Sequence, residues 1–161
     1  RRSSDLCDQF GQGRIDFGHS GSAASVGEAA RFGQAHRVLA RLAEIGTGHV
    51  QLGEGAVLCP FVTLTSNICI GRHFHANLYS YVEHDCMIGD FVTFAPGVKC
   101  NGNVVIEDHA YIGAGAVIKQ GQPGAPLVIG RGAVVGMGAV VTKNVPAGAT
   151  VVGNPAKVMN K

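Results

Sequence analysis

Apolar residues recur at every sixth position along most of the chain. The series runs without exception through Leu52, Leu58, Leu64, Ile70, Ala76, Val82, Ile88, Phe94, Cys100, Ile106, Ile112 and Ile118. It resumes at Ile129, Val135, Val141, Ala147 and Gly153 if residues 122–126, with the sequence QPGAP, form a loop outside the repeat. A second series of mostly small residues lies four positions further on, from Ala56 to Ala116 and then through Ala133, Ala139, Val145 and Val151. A hydrophobic period of six predicts an all-β fold, a parallel β-helix whose first series fills the inside.

The N-terminal residues do not share this period. Residues 14–25 are rich in Gly and Ser and predict irregular structure. Further on, apolar residues are spaced as on one face of a helix that ends with Gly46: Val38, Leu39, Leu42 and Ile45. The sequence therefore predicts a short, partly helical N-terminal segment, residues 1–49, followed by a β-helix domain, residues 50–161. The chain opens with RRSSDLC and no Met, which indicates a fragment or a processed product.

Composition and charge exclude several classes of protein. The 161 residues are 46% hydrophobic with 24 Gly and no Trp, which favours one globular domain with a core of small aliphatic side chains. The formal net charge of +2 comes without any basic run, which argues against a nucleic-acid partner. The longest apolar runs are far shorter than the roughly 20 residues that span a bilayer, so we expect a cytoplasmic protein with no membrane partner. The five Cys form no CxxC pair, which favours reduced thiols over disulfides or a zinc site.

Two motifs narrow the fold to a family: EHDCMIGD, in which an acid follows a histidine, and the terminal GNPAK. With them the chain, over residues 35–159, resembles the hexapeptide acyltransferases. Within these it is most similar to the bacterial sugar acetyltransferases that include sialic-acid O-acetyltransferases and N-acetyltransferases of UDP-linked amino sugars. The resemblance implies a left-handed β-helix, a homotrimer, acetyl-CoA as co-substrate and a sugar or nucleotide-sugar acceptor, with no metal. Relatives carry an N-terminal acceptor-binding domain, so the resemblance makes residues 1–49 a remnant or fragment of one.

The EHD part of the first motif contains the residue types that acetyl transfer requires. A base must take the proton of the attacking amine or hydroxyl, and an imidazole beside a carboxylate suits this task. We therefore predict His84 as the general base and Asp85 as the residue that orients it. Glu83 is predicted to be a bend residue, since all three lie between the inward Val82 and Cys86.

The resemblance also implies residues that contact acetyl-CoA. Thr93 matches a polar contact nine residues after the histidine, and Gly102 matches a glycine whose N–H lies near the thioester and donates to the oxyanion. Ala114 and Met137 match positions that line the pantetheine arm. Lys143 would pair with a phosphate at the nucleotide end of the cofactor.

Two other functions fit parts of the sequence. A β-helix of this kind can serve only as a trimerisation or scaffold module, which would bind no coenzyme A. Trimeric carbonic anhydrases share the fold and bind zinc through three histidines. His73 and His109 are spaced to stack on one face, but residues 110–117 hold no third ligand. We therefore expect no metal and treat these two histidines as corner residues.

Overall fold

The computed structural model describes residues 15–17, 24–25, 39–40 and 43–159. Within these residues there is no helix, and hence none long and apolar enough to cross a membrane. The strands are β1 Ile15–Phe17, β2 Ala24–Ser25, β3 Leu39–Ala40, β4 Glu44–Leu52, β5 Val57–Leu58, β6 Thr63–Ile70, β7 His75–Ala76, β8 Tyr81–Val82, β9 Met87–Ile88, β10 Thr93–Phe94, β11 Lys99–Cys100, β12 Val104–Ile106, β13 Tyr111–Ile112, β14 Val117–Ile118, β15 Leu127–Ile129, β16 Val134–Val135, β17 Val140–Val141, β18 Thr150–Val152 and β19 Lys157–Val158.

Parallel pairing between successive coils divides the β-helix into three faces. Face A contains β3, β5, β7, β10, β13, β16 and β18; face B contains β8, β11, β14 and β17; face C contains β9, β12 and β15. The long strands β4 and β6 turn from face B into face C, since Thr63 pairs with Tyr81 and Cys69 pairs with Met87. The result is a triangular prism, and the predicted parallel β-helix is confirmed.

Three edges join these faces, and each is a column of bends stacked one coil above another. The AB edge contains residues 59–62, 77–80, 95–98, 113–116 and 136–139; the BC edge contains residues 65–68, 83–86, 101–103, 119–126 and 142–144; the CA edge contains residues 53–56, 71–74, 89–92, 107–110, 130–133 and 146–149. Backbone hydrogen bonds join neighbouring bends, as from the N–H of Asn103 to the carbonyl of His84 at 3.0 Å. Side chains in one column therefore lie about 4.8 Å apart along the prism.

The interior of the prism is filled by the repeating apolar series. All residues of the first series from Leu52 to Val141 are buried, and so are those of the second series from Ala56 to Ala139. Residues 122–126 are exposed, and Ile106 pairs with Ile129 across the loop that they form. The six-residue period and the outward loop are therefore confirmed.

The predicted N-terminal helix is wrong where the structure describes its residues. Leu39–Ala40 form β3, and Glu44–Leu52 form β4, which runs across the predicted boundary between residues 49 and 50. Val38 and Leu42 lie outside the described residues. Both strands pair with the coil above, so strands of the β-helix precede residue 50. The origin of residues 1–49 in an acceptor-binding domain stays a prediction.

An irregular spacing hid this first coil in the sequence. The strand partners of Leu58, Leu64 and Ile70 are Ala40, Ile45 and Leu52. The three partners are separated by five and then seven residues rather than by six, with a register shift after Ile45. With this irregular spacing, apolar residues lie three or four apart and resemble one face of a helix. Pairing with the next coil makes these residues strands instead.

The register changes again near the C-terminal end of the prism. Val145 bridges to Ile129 and is buried, as is Val151. Ala147 and Gly153, which the six-residue period placed inside, are exposed, so the prediction is wrong at these two positions. The bend after β17 has two residues fewer than the repeat requires. The inward positions therefore come two residues earlier in the chain, at Val145 and Val151.

The cysteines divide by the side of the strand on which they lie. Cys59, Cys86 and Cys100 are free thiols, as predicted. Cys69 is disulfide-bonded, so the prediction of reduced thiols is wrong there. Cys86 and Cys100 belong to the two inward series, whereas Cys69 lies between the inward residues Ile68 and Ile70 of β6 and belongs to neither series.

Candidate active site

The BC edge carries a column of polar corner residues. Asn67, Asp85 and Asn103 follow one another at intervals of one coil and have φ angles of 52°, 58° and 57°. Among residues with a side chain, Asn and Asp adopt this left-handed conformation most readily. The bend turns residues 83–85 outward from the prism, and the side chains of His84 and Asp85 are exposed.

His84 and Asp85 form a hydrogen-bonded pair on this edge. His84 Nδ1 lies 2.7 Å from Asp85 Oδ2, and the two side chains are 54% and 39% exposed. The second carboxylate oxygen, Oδ1, accepts a hydrogen bond from the Asn67 amide at 3.3 Å. Because a carboxylate can only accept, the neutral imidazole carries its hydrogen on Nδ1 and keeps a lone pair on Nε2. The pair is therefore suited to take a proton at Nε2 and to stabilise the imidazolium that results.

Gly102, one coil above, lies against the imidazole of His84. A Cβ atom at residue 102 would stand 2.6 Å from both Cε1 and Nε2 of His84, so any larger residue would displace the ring from this position. The N–H of Gly102 donates to Glu83 Oε2 at 3.2 Å. Glu83, predicted as a bend residue, thus contacts the site, while the oxyanion role of the Gly102 N–H stays a prediction.

The polar side chains of Tyr81 and Asn101 hold the bend that contains Gly102. The hydroxyl of Tyr81 donates to Asn101 Oδ1 at 3.0 Å, and the Asn101 amide donates to the carbonyl of Ile118 at 2.7 Å. Burial, and then the charge of Glu83, raises the pKa of Tyr81 above its ordinary value. The phenol therefore remains a hydrogen-bond donor throughout the neutral range.

A cavity of about 350 Å³ opens further up the same edge. Its lining is Lys119, Gln120, Gly121, Gln122, Ala125, Pro126, Leu127, Thr142, Lys143 and Asn144. It begins two coils above His84 and Asp85, because the N–H of Gly121 donates to the carbonyl of Gly102, itself one coil above the pair, at 3.0 Å. At about 4.8 Å per coil, Lys143 lies roughly 14 Å above His84. Two ammonium groups among amide side chains suit a phosphate group.

Sequence reasoning found only one residue of this cavity. Lys143 was predicted, but Lys119 and the amide side chains of Gln120 and Gln122 were not. The loop at residues 122–126 interrupts the repeat, and its side chains therefore have no predicted place on the prism. The polar residues Lys119 and Gln120, directly before a break in the period, are the signal that could have identified this lining.

The remaining predicted cofactor residues lie elsewhere on the prism. Thr93 is in β10 on face A, paired with His75 and Tyr111. Ala114 and Met137 lie on the AB edge, where the carbonyl of Ala114 accepts a hydrogen bond from the residue after Met137 at 2.8 Å. Met137 is 82% exposed. One chain thus brings together the predicted residues of the BC edge and leaves these three on other surfaces.

The two histidines considered as zinc ligands are separated by an aromatic ring. His73 and His109 do lie on one edge, but Phe91 stacks between them with ring centroids 5.1 Å from each. Among the residues that the structure describes, no group of three His, Cys, Asp or Glu could hold a metal ion. These contacts fit the prediction of corner residues.

Comparison with known proteins gives matches in sequence and in structure. The family model for the hexapeptide repeat of succinyl-transferase matches residues 103–143. GDP-perosamine N-acetyltransferase of Escherichia coli O157:H7 is 69% identical over 113 residues, which cover 70% of this chain and 51% of the relative. This chain therefore spans about half the length of that curated relative.

Solved structures of other proteins are similar to the described β-helix. WeeI from Acinetobacter baumannii AYE is 70% identical with a TM-score of 0.67, covering 73% of this chain and 53% of that one. PerB from Caulobacter crescentus, solved with CoA and GDP-perosamine, is 27% identical with a TM-score of 0.72, covering 78% and 58%. The six-residue repeat, the prism and these matches together show that the chain belongs to the hexapeptide-repeat acyltransferases, whose β-helix is left-handed.

Proposed function

We propose that this chain is the catalytic part of an acetyl-CoA-dependent N-acetyltransferase whose acceptor is an amino group on a nucleotide-linked sugar. The observation that carries the proposal is the hydrogen bond between His84 and Asp85 on an exposed edge, below a lysine-lined cavity. The relative that is 69% identical is named a GDP-perosamine N-acetyltransferase, which favours a GDP-linked amino sugar as acceptor and N- over O-acetylation. The cytoplasmic location predicted from the sequence belongs to the same proposal.

The arrangement of the pair accounts for the proton transfer. The neutral amine of the acceptor attacks the carbonyl carbon of the thioester, so that a C–N bond forms and the C–S bond breaks. Nε2 of His84 takes the proton that the amine loses and passes it to the departing thiolate of coenzyme A. Asp85 stabilises the imidazolium in between and keeps Nδ1 protonated, while Asn67 fixes the orientation of the carboxylate.

The cavity on the BC edge is suited to the nucleotide end of the cofactor. Lys119 and Lys143 would pair with phosphates, and the three amide side chains would hydrogen-bond to the remaining polar groups. Thr93, Ala114 and Met137 would line the pantetheine arm from a neighbouring subunit, since they lie on a different surface of their own chain. The predicted homotrimer is therefore part of the proposal.

Replacing His84 by alanine tests the proposed function. With acetyl-CoA and GDP-perosamine as substrates, we expect His84→Ala to lower kcat about 10²- to 10⁴-fold, with the KM for acetyl-CoA changed no more than a few-fold. Product mass and thiol release are the measurements. His109→Ala is the matched control, because His109 is an exposed corner histidine on a different edge. Full turnover by His84→Ala would show that the site acts without this base.

A further inference from the structure

The carboxylate of Glu83 makes a contact that the proposed reaction does not yet use. It accepts the N–H of Gly102, and Gly102 in turn packs against the Cε1 and Nε2 side of the His84 ring. We propose that Glu83 is a positioning residue for the acetyl transfer, which holds Gly102 as a wall against the catalytic imidazole. This inference rests on the proposed function of His84.

The backbone around the two bends explains why a side chain is needed at this place. The N–H of Glu83 donates to the carbonyl of Cys100 at 2.9 Å, and the N–H of Asn103 donates to the carbonyl of His84 at 3.0 Å. These two bonds join the coils on either side of Gly102. The N–H of Gly102 itself meets the Glu83 side chain instead. A hydrogen bond from an N–H to a carboxylate is charge-assisted, and it completes the contact between the bends.

The contact bears on the nitrogen that performs the chemistry. Asp85 holds the ring through Nδ1 alone, so the ring can still rotate about that hydrogen bond. Only a contact on the opposite side of the ring limits this rotation. Gly102 is at that opposite side. A displacement of about 1 Å at a reacting atom can cost on the order of 100-fold in rate, so a bend that moves away would lower kcat without removing any reacting group.

Two substitutions at residue 83 separate hydrogen bonding from charge. Glu83→Ala removes the acceptor, whereas Glu83→Gln keeps a carbonyl oxygen at the same reach and removes the charge. For Glu83→Ala we expect kcat to fall about 10- to 100-fold, with the KM for acetyl-CoA within a few-fold and the Tm lowered by only a few degrees. Glu83→Gln should restore kcat to within about 3-fold of the parent, because the N–H of Gly102 is again satisfied.

A matched control is available on another edge of the same prism. Glu107 Oε2 accepts the backbone N–H of Arg131 at 2.7 Å, which is the same kind of contact far from the catalytic pair. Glu107→Ala should therefore leave kcat at the parental value. If Glu107→Ala lowers kcat as much as Glu83→Ala does, the loss of activity comes from a general loosening of the prism. That result would overturn the proposal.

Other outcomes are equally decisive. If Glu83→Gln is as slow as Glu83→Ala, the charge and not the hydrogen bond matters, and positioning is the wrong role. If Glu83→Ala turns over at the parental rate or faster, the carboxylate either does nothing or competes for the N–H of Gly102. The amide chemical shift of Gly102, compared in the parent and both variants by NMR, reports the contact without any activity. Failure of the proposed function would appear separately, as a parent chain whose turnover does not depend on His84.

Discussion

Corner residues with a left-handed backbone give the BC edge of the prism a different chemistry from the other two edges. Among the residues that the structure describes, eight other than glycine have φ between 52° and 64°: Phe61, Asn67, His73, Tyr79, Asp85, Phe91, Asn103 and His109. On the AB and CA edges these residues stack their rings, as Phe61 does on Tyr79 at 4.9 Å. On the BC edge they are Asn and Asp, which tolerate the conformation and also hydrogen-bond. Asp85, the carboxylate proposed to orient His84, thus occupies a position whose backbone already favours Asp.

The buried thiol of Cys100 predicts a loss of stability at alkaline pH. A hydrogen bond with Cys86, and then burial, raises the pKa of Cys100 well above its ordinary value. An unfolded thiol ionises near pH 8.5, so above that pH the unfolded state releases a proton that the folded state keeps. Folded-state stability is therefore complete below about pH 8 and falls as pH rises.

Thermal unfolding of Cys100→Ala between about pH 7 and pH 10 measures this contribution. We expect its Tm to fall less over that interval than the Tm of the parent, because the titrating group is gone. Val98→Ala, another buried truncation on the same coil, should keep the parental dependence on pH. Parallel curves for the parent and Cys100→Ala would contradict the assigned shift.

The strands show which parts of the fold the sequence could predict. Between Leu52 and Val141 every coil repeats the same spacing once the loop is set aside, so the period alone identifies the inward residues. The spacing fails at Ile45 and at Val145, where a bulge and a short bend change the count. Cross-strand hydrogen bonds keep these strands in register there, and such bonds leave no mark in a single sequence.

The site was predictable to a similar extent. Adjacent residues such as His84 and Asp85 meet because one bend carries both, and a motif can reveal them. The contact of Glu83 with Gly102 joins residues one coil apart, through a side-chain rotamer that spacing does not determine. The cavity depends on a loop that is absent from the repeat. Partners across coils therefore required the structure.

Removing the loop at residues 122–126 tests whether the β-helix folds without it. The N–H groups of Gly121 and Leu127 donate to neighbouring carbonyls of the coil below, those of Gly102 and Asn103, so the two ends of the loop are close. Joining them restores the 18-residue interval between coils, and we expect a Tm within about 5 °C of the parent, since exposed loops contribute little. The KM for acetyl-CoA should rise about tenfold, because the cavity loses part of its wall.

A variant in which the five loop residues are replaced by Gly and Ser shows whether the length of the loop or its side chains affect the KM for acetyl-CoA. It keeps the chain length but removes Gln122 and the two prolines. We expect an intermediate KM. An excision variant that fails to fold would show that the loop stabilises the upper coils, contrary to its exposure, and an unchanged KM would place the cofactor elsewhere.

On the scale of the whole molecule, the predicted site residues do not meet within one chain. The pair of His84 and Asp85 is on the BC edge, whereas Ala114 and Met137 are on the AB edge and Thr93 is on face A. A straight prism cannot fold one edge onto another. The AB edge also exposes apolar side chains, among them Phe61, Leu78 and Tyr79 at 52%, 40% and 65%. A second copy of the chain would both cover these residues and complete the site.

We therefore expect light scattering to give the mass of three chains, and mixed trimers to reveal the shared site. His84→Ala lacks the base, and Ala114→Trp would block the pantetheine surface, so each variant alone should be nearly inactive. Co-expressed at equal amounts, the two should recover about a quarter of parental turnover, because each site takes one edge from each of two neighbours at random. Mass measurement of Ala114→Trp checks that the assembly survives. A monomeric parent, or intact mixed trimers without recovery, would mean that a single chain carries the complete site.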